Sequence, residues 1–496
     1  MSARIVLIGA GIGGLTTAAL LAQAGHDVTV LEGQVYAGGC AGTFYHQGYR
    51  FDAGATVVGG FQPNGPHALI ADRLGLQWPV VRHDPAWVVH LPDCEIALTG
   101  DNADVLRAFP HSEAFWREQS ALSDLGWSLS AQGLPWPPTS AAEWAHLIKV
   151  AVRNLPHDLR LAPYTLTSAA NWLRWRGLSK DAAFVRFIDA QLLISAQTTS
   201  QYANAAYSAT ALDLARQGVF HVKGGIGGIA ETLVEKIASL GGPVLYRQRV
   251  EKIDLREGRA VSVRTKRGET FPCDFLIANL TPRSLDTLLA EQSPASLHHE
   301  AETRRFGWGA FALNLGLRDD SLPADFPDHH QIITTMTGSL GETRSIFISL
   351  SPRWDSSRAP QGYRAATVTT HTAVEQWHLP DESAYEAKKA EYTEAILTNI
   401  ERVIPGFRVG IALTLPGTPV TYQFYTGRSL GMVGGFPQTS LFRARSPLTG
   451  IANVRLVGDS IFPGQSTAGV TLGAIRVATD VLSRMRARNS TVFPTG

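Results

Sequence analysis

Apolar residues cluster in short continuous runs near both ends of the chain and alternate more loosely between them. Ile5 to Ile8 is wholly apolar, as a strand buried on both faces of a parallel sheet must be. Leu15 to Ala24, rich in Ala, Leu and Thr, predicts a helix closed by Gly25. Val28 to Leu31 repeats the buried-strand pattern and ends on Glu32. From Pro110 to Arg216 the spacing becomes helical. Apolar faces run over Glu113 to Ser130 and Ser140 to Asn154, separated by Gly133, Pro135, Pro137 and Pro138. A helix opening near Gly228 runs to about Leu240. Strands follow at Val244 to Arg249, Val250 to Leu255, Ala260 to Lys266 and Glu269 to Phe275, and then a buried run, Phe275 to Asn279.

Phe311 to Leu317, Gln331 to Met336, Ser345 to Leu350 and Arg364 to His371 alternate loosely and predict a largely antiparallel sheet in a second domain. Glu382 to Val403 is a long amphipathic helix ended by Pro405-Gly406. Thr421 to Tyr425 reads as a further strand, Val454 to Val457 as a last buried one, and Thr471 to about Arg486 as a terminal helix.

Between the first strand and helix stand Gly9, Gly11 and Gly14 in the pattern G-x-G-x-x-G, and Glu32 closes the next strand at the expected spacing. Gly9 permits the tight turn, Gly11 leaves room for a pyrophosphate, and Gly14 lets helix pack on strand. The helix N-terminus offers free N–H groups to phosphate. Glu32 suits ribose hydroxyls and repels a 2′-phosphate. Gly38-Gly39 follows, then Tyr49 to Thr56, a short strand running into Gly54. Near the C-terminus Gly458-Asp459 sets a carboxylate at a strand end before a helix, where ligands lie in such sheets.

At 496 residues the chain has room for two or three domains. A net charge of +1 provides no field for nucleic acid. Cys40, Cys94 and Cys273 are odd in number and widely spaced, which predicts reduced thiols in a cytoplasmic protein. The first strand begins beside Met1, which leaves no space for a signal peptide. Gln191 to Leu212 is uncharged but too polar for a membrane span. Ala141 to Lys180 carries Trp144, Trp172 and Trp175. It also holds six bases (Lys149, Arg153, Arg160, Arg174, Arg176, Lys180) against Glu143 and Asp158. That combination predicts either a core helix with a solvated basic face or peripheral contact with an anionic membrane.

Two other signals point elsewhere. Gly427-Arg428-Ser429-Leu430-Gly431 matches a hydrolase G-x-S-x-G, but the glycines and Pro437 that follow forbid the helix that motif needs. Asp328-His329-His330 has no second ligand pair at zinc-like spacing. It reads as a surface turn, and no metal is expected. Lys223 could be a partner of a ligand or a surface residue at a helix entry.

Together Gly9 to Gly14, Gly38-Gly39, Phe51-Asp52-Ala53-Gly54, Lys223-Gly224-Gly225 and Gly458-Asp459 resemble the phytoene-desaturase-like family of FAD-dependent carotenoid enzymes, within the amine-oxidase-like flavoproteins. Asp52 to Thr56, Phe220 to Gly224 and Gly431 to Thr439 are most similar to the cyanobacterial-type carotenoid 3′,4′-desaturases. Isomerases and ketolases of the family are close rivals. Ser466-Thr467-Ala468 stands where many of the desaturases carry a proline.

The resemblance implies an α/β fold, with a Rossmann-like FAD-binding domain discontinuous over 1–85, 220–285 and 425–496. A mixed sheet-plus-helices substrate domain would span 86–219 and 286–424, with 110–216 mainly helical and membrane-facing. It implies FAD held by Gly9, Ala10, Gly11, Gly13, Gly14 and Glu32 at its ADP half. Gly38, Gly39 and Cys40 would lie along the pyrophosphate or flavin, and Gly54, Ala55, Ala468, Gly469 and Val470 at the ring. Val250 would meet the adenine, and Gly458 and Asp459 the ribityl chain or pyrophosphate. The implied reaction is hydride transfer from a C–C bond of a linear carotenoid to flavin N5, with quinone or oxygen as final acceptor. No catalytic acid or base is assigned. A flavin-fold carotenoid carrier without catalysis is the rival of another class.

Overall fold

A computed structural model describes residues 2–155, 157–304 and 307–492. The apolar runs assemble one parallel sheet of five strands, in the order Val454–Leu456, Phe275–Ala278, Arg4–Ile8, Asp27–Leu31, Val244–Leu245. Its register pairs Ile8 with both Leu31 and Ala278, and Ala278 with Leu456. The carboxyl ends of four strands are therefore level, and Gly9, Glu32, Asn279 and Gly458 emerge along one edge. The helix Ile12–Gln23 covers the sheet and is buried along most of its length. It packs against the helices Gly228–Ser239 and Thr467–Val492. Burial on all sides explains why its sequence is apolar throughout rather than on one stripe.

A second sheet has seven strands, ordered Ile411–Gly417, Trp308–Arg318, Tyr363–Ala373, Ser345–Leu350, His329–Ile333, Val88–Leu91, Cys94–Ala97. Every neighbouring pair is antiparallel except His329–Ile333 with Val88–Leu91. One face packs on the helix Glu382–Val403 through Phe311, Ile396 and Ile400, with Trp377 stacked 5.3 Å from Phe311. A helical layer closes around Phe115, Trp172, Phe184 and Phe187.

Asp52 joins these parts. Its Oδ1 accepts from Thr43 Oγ1 at 2.8 Å and from the Ile226 amide at 2.9 Å, while Oδ2 accepts from Arg358 Nη2 at 2.9 Å. A Cβ on Gly225 would lie 2.5 Å from Thr43 Oγ1 and 2.6 Å from Asp52 Oδ1, so this contact requires glycine there. Asp52 and the Lys223-Gly224-Gly225 turn thus hold each other. Lys223 itself is exposed.

Several elements differ from the sequence reading. Thr421 to Tyr425 is not a strand but part of the helix Pro419–Thr426. Thr418 and Thr421 form a reciprocal capping box, Pro419 opens the first turn and Gly427 closes the last in the left-handed region. These end signals outweigh the β-branched and aromatic composition. Asp328-His329-His330 is not a surface turn. His329 and His330 begin a buried strand, 1% and 2% exposed, and Asp328 pairs with Arg364. Trp172 sits in the core, as the core-helix alternative expects, and not at a membrane-facing surface. It is fully buried, and its Nε1 donates to Glu118 Oε2 at 2.6 Å. No helix among the described residues is long and apolar enough to cross a membrane.

Candidate active site

The level strand ends open onto one cleft of about 750 Å³ that continues to the seven-stranded sheet. Its first wall is the glycine loop. Gly9 has φ +92°, and a Cβ on Gly14 would lie 2.5 Å from the Gly9 carbonyl oxygen, so strand, turn and helix close only without side chains. A Cβ on Gly11 would run into Asn279 Nδ2, and one on Gly13 would lie 3.1 Å from the Gly458 Cα. Part of the space reserved at Gly11 is therefore taken up by the protein's own Asn279. The Gly38 amide donates to the Ala10 carbonyl at 2.8 Å, and Gly38 pairs with Gly11 as an isolated bridge. With φ +111°, Gly38 accommodates no side chain, because a Cβ would lie 2.6 Å from Gly42 Cα.

Glu32 points back into this loop. Oε2 accepts from the Ala10 amide and Oε1 from the Gln34 amide, both at 2.8 Å. Burial pushes its carboxyl above the usual carboxylate range, opposed by these amides. Cys40 continues the wall: its carbonyl accepts from the Ala55 amide at 3.0 Å, which fixes Gly54 and Ala55 beside it. Burial pushes the Cys40 thiol up, so it is protonated at neutral pH.

Of the seventeen residues that the resemblance assigns to cofactor binding, Gly9, Gly11, Gly13, Glu32, Gly38, Gly39, Cys40, Gly54, Ala55, Val250, Gly458, Asp459, Ala468, Gly469 and Val470 line this cleft. Ala10 and Gly14 stand behind it, in the turn and the helix that support it. Four residues of the site escaped sequence reasoning. Asn279 touches the loop at Gly9 and Gly11. Its place at the end of a buried strand was the available signal. Arg428 Nη1 lies 3.0 Å from Asp459 Oδ2, and its Nε donates to the Met432 carbonyl at 2.7 Å. It belongs to the Gly427–Gly431 stretch, where no helix follows Ser429, as the hydrolase mechanism would need. Gln197 and His371 meet across the far half of the cleft, Nε2 to Nε2 at 3.4 Å, and nothing local in the sequence joins them. Burial pulls His371 down to about 4, so its imidazole is neutral at pH 7.

Charge is sparse. Among the described lining residues only Glu32, Arg249, Arg428 and Asp459 carry formal charge, with Arg249 beside Gly33 and Arg428 paired with Asp459 next to Gly458. The rest of the lining is uncharged, with Trp127, Ile194, Leu214, Phe347 and Ala310 beside polar groups that include Gln197, Tyr207, Ser345, Thr369, Thr370 and His371. A buried acid, a side-chain-free turn at a helix N-terminus and a second carboxylate from the C-terminal strand are features of the kind that suit a dinucleotide.

Comparison with known proteins agrees with this geometry. The family model for flavin containing amine oxidoreductase matches residues 12–482. The chain is 30% identical to prolycopene isomerase 1 of an Oncidium hybrid cultivar, over 96% of this chain and 84% of that protein. It is 26% identical to a phytoene dehydrogenase of Streptomyces griseus, over 99% and 98% of the two chains. An oxidoreductase from Methanosarcina mazei shares the fold with a TM-score of 0.66 at 19% identity, over 96% of this chain and 100% of that one. The chain belongs to the flavin containing amine oxidoreductase family, among its phytoene-desaturase-like members, and is an oxidoreductase with FAD as its cofactor.

Proposed function

We propose that this protein acts on the polyene chain of a linear carotenoid, laid along the uncharged lining of the cleft against FAD held at the glycine loop. The observation that carries this reading is one cleft that joins the glycine loop to a lining in which, among the described residues, only four side chains are charged. Gly9, Ala10, Gly11, Gly13, Gly14 and Glu32 would hold the ADP half of the cofactor, with Val250 at the adenine. Gly38, Gly39 and Cys40 would follow the pyrophosphate or flavin, Gly458 and Asp459 the ribityl chain or pyrophosphate. Gly54, Ala55 and Ala468 to Val470 would border the flavin ring. When bound, FAD supplies the two-electron chemistry that no side chain here provides.

The chain's own part is to bind, orient and exclude water. The apolar half desolvates the polyene and fixes its register. The neutral imidazole of His371, beside the Gln197 amide, is a group in that half able to take or return a proton.

Two reactions fit this site. Likeness to prolycopene isomerases over 96% of this chain favours redox-neutral isomerisation of a double bond, and we place it first. Desaturation at a 3′,4′ bond is supported by the Phe220 to Gly224 and Gly431 to Thr439 stretches. Of these only Val433 and Gly434 line the cleft, and Phe220 to Val222 lie in a strand paired with Val80–His83. Residues remote from the reacting bond weigh little on reaction type. Desaturation would also need quinone or oxygen to take up the electrons.

Anaerobic incubation of the FAD-loaded protein with poly-cis and all-trans carotenoids decides between them. Isomerisation gives a product of unchanged mass, formed only once the flavin has been reduced. Desaturation gives a product lighter by two hydrogens while the flavin bleaches. A pigment unchanged with flavin in either state would overturn the enzymatic reading and leave a carrier.

Delivery of so apolar a substrate suits a cytoplasmic protein that sits on a membrane. The helix Ala141–Asn154 buries only Val150 and exposes Trp144, Ile148 and Val152 at successive four-residue steps. Lys149 and Arg153 flank this stripe and are exposed, as are Trp175 and Lys180. The helix is tied to Gln132 through His146 and Asn154, two residues beyond Ser130 in the cleft wall. An anionic bilayer held by this stripe would lie next to the cleft.

A further inference from the structure

We infer that His83, His221 and His329 form a binding site for a divalent transition-metal ion, with Asp328 and Ser349 orienting the rings. The three residues come from separate strands. His83 ends Val80–His83, His221 lies in its antiparallel partner Val219–Val222, and His329 begins His329–Ile333 of the seven-stranded sheet. Their ring centroids are 4.6 Å (His83–His221), 5.0 Å (His83–His329) and 5.0 Å (His221–His329) apart. One nitrogen of each lies within 4.8 Å of one nitrogen of the other two. Zinc–imidazole bonds of about 2.0–2.1 Å place tetrahedral ligands roughly 3.4 Å apart. Each ring would therefore have to move inward by less than about 1 Å.

The hydrogen bonds leave the right atoms free. Ser349 Oγ donates to Thr56 Oγ1 at 2.8 Å, so at His329 Nδ1, 2.9 Å away, it accepts. That sets the proton of His329 on Nδ1 and the lone pair on Nε2, which is buried and has no partner. His221 Nε2 donates to Asp328 Oδ2 at 2.9 Å, which leaves its Nδ1 lone pair. His83 Nε2 is likewise buried without a partner. An unmatched buried nitrogen costs about 1–3 kcal/mol, and here two belong to neighbouring rings whose centroids are 5.0 Å apart. A metal ion would satisfy both at once.

The surroundings follow the usual carboxylate–histidine–metal arrangement. Asp328 is itself fixed by Arg364, whose Nε donates to the Ser351 carbonyl at 2.7 Å. This guanidinium balances the carboxylate, so the site offers imidazole nitrogen rather than negative charge. Such a donor set selects Zn²⁺, Cu²⁺, Fe²⁺ or Ni²⁺ over Mg²⁺ or Ca²⁺. The rings of Phe347 and Trp354 stand 6.3 Å from His329 and His221 respectively. The ion would clamp the small two-stranded ribbon to the large sheet. Through Ser349 it would also support Thr56, which lines the cleft.

The test uses untagged, FAD-loaded full chain, stripped with chelator and titrated with Co²⁺. One Co²⁺ per chain is expected, with the intense visible bands of low-coordinate nitrogen ligation, displaced by one Zn²⁺. His83→Ala, at a strand end, should weaken binding more than 100-fold. Ser349→Ala, which removes only the orienting hydroxyl, should weaken it about 10-fold. Flavin absorbance and far-UV circular dichroism identify any variant that has failed to fold. The wild-type titration stands without them. Absence of saturable binding by the wild type, or folded variants that bind Co²⁺ as it does, would overturn the assignment.

Discussion

The guanidinium of Arg428 and the carboxylate of Asp459 face each other at 3.0 Å inside the cleft, although 31 positions separate them in the chain. Asp459 alone would bring a negative charge towards a dianionic pyrophosphate. Arg428 offsets that charge and retains N–H groups for phosphate. Arg428→Met should weaken FAD binding by about 2–3 kcal/mol, the scale of a charge-assisted hydrogen bond. Fluorescence titration of deflavinated protein measures it, and an unchanged dissociation constant would remove Arg428 from the cofactor site.

Gly14 packs against the Gly9 carbonyl oxygen, with 2.5 Å left for a Cβ. Backbone cannot move aside as a side chain can. Gly14→Ala should lower stability by about 1–3 kcal/mol, as overpacking does, and release flavin. Gly11→Ala meets only the movable amide of Asn279. It should cost less stability, and adding Asn279→Ala should restore most of the loss. Thermal melts with and without FAD would test this order. Equal losses at the two glycines would refute it.

Burial holds His371 at about 4 and His67 at about 3, against ordinary values near 6.5. Both therefore bind protons more readily in the unfolded chain. Between pH 6.5 and 4 the unfolded state takes up more protons, so stability falls as pH falls through that window. His371 alone accounts for about 3 kcal/mol by pH 4, at about 1.4 kcal/mol per unit. The urea midpoint of the wild type should fall relative to that of His371→Gln as pH is lowered from 7 to 5. Parallel pH profiles would show that His371 does not titrate in this way.

The exposed stripe of Ala141–Asn154 gives a sharp contrast with the covered tryptophan nearby. Trp144→Ser with Ile148→Ser should weaken flotation on anionic liposomes several-fold and leave the melting temperature within about 2 °C. Trp172→Ser removes a ring that is 0% exposed and should cost about 3–5 kcal/mol whether or not lipid is present. If the double variant floats as well as wild type, the stripe is not the anchor.

Much of the site was readable because its signals are local. A four-residue apolar strand, three spaced glycines, an apolar helix and a terminal acid each follow from nearest-neighbour geometry. Together they place Gly9 to Glu32 without further information. The Gly458-Asp459 strand end is readable in the same way. The helix Pro419–Thr426 was also written locally, in Thr418, Pro419 and Gly427, but its β-branched and aromatic interior drew the reading towards a strand.

The glycine turn, the alternation of the second sheet and the resemblance to a flavin family were legible from the chain, since each depends on residues a few positions apart. Tertiary structure alone decided what meets across the chain. It set Asn279 against Gly11, Arg428 against Asp459 and Gln197 against His371. It covered Trp172 and left Trp144 bare, a difference that amphipathic spacing cannot express because both lie on helical faces. It also carried Asp328, His329 and His330 from an apparent turn into the interior, where His83 and His221 close around His329. The physical reason is the same in each case: burial and partnership depend on which surfaces pack together, and that is a property of the folded chain rather than of any segment.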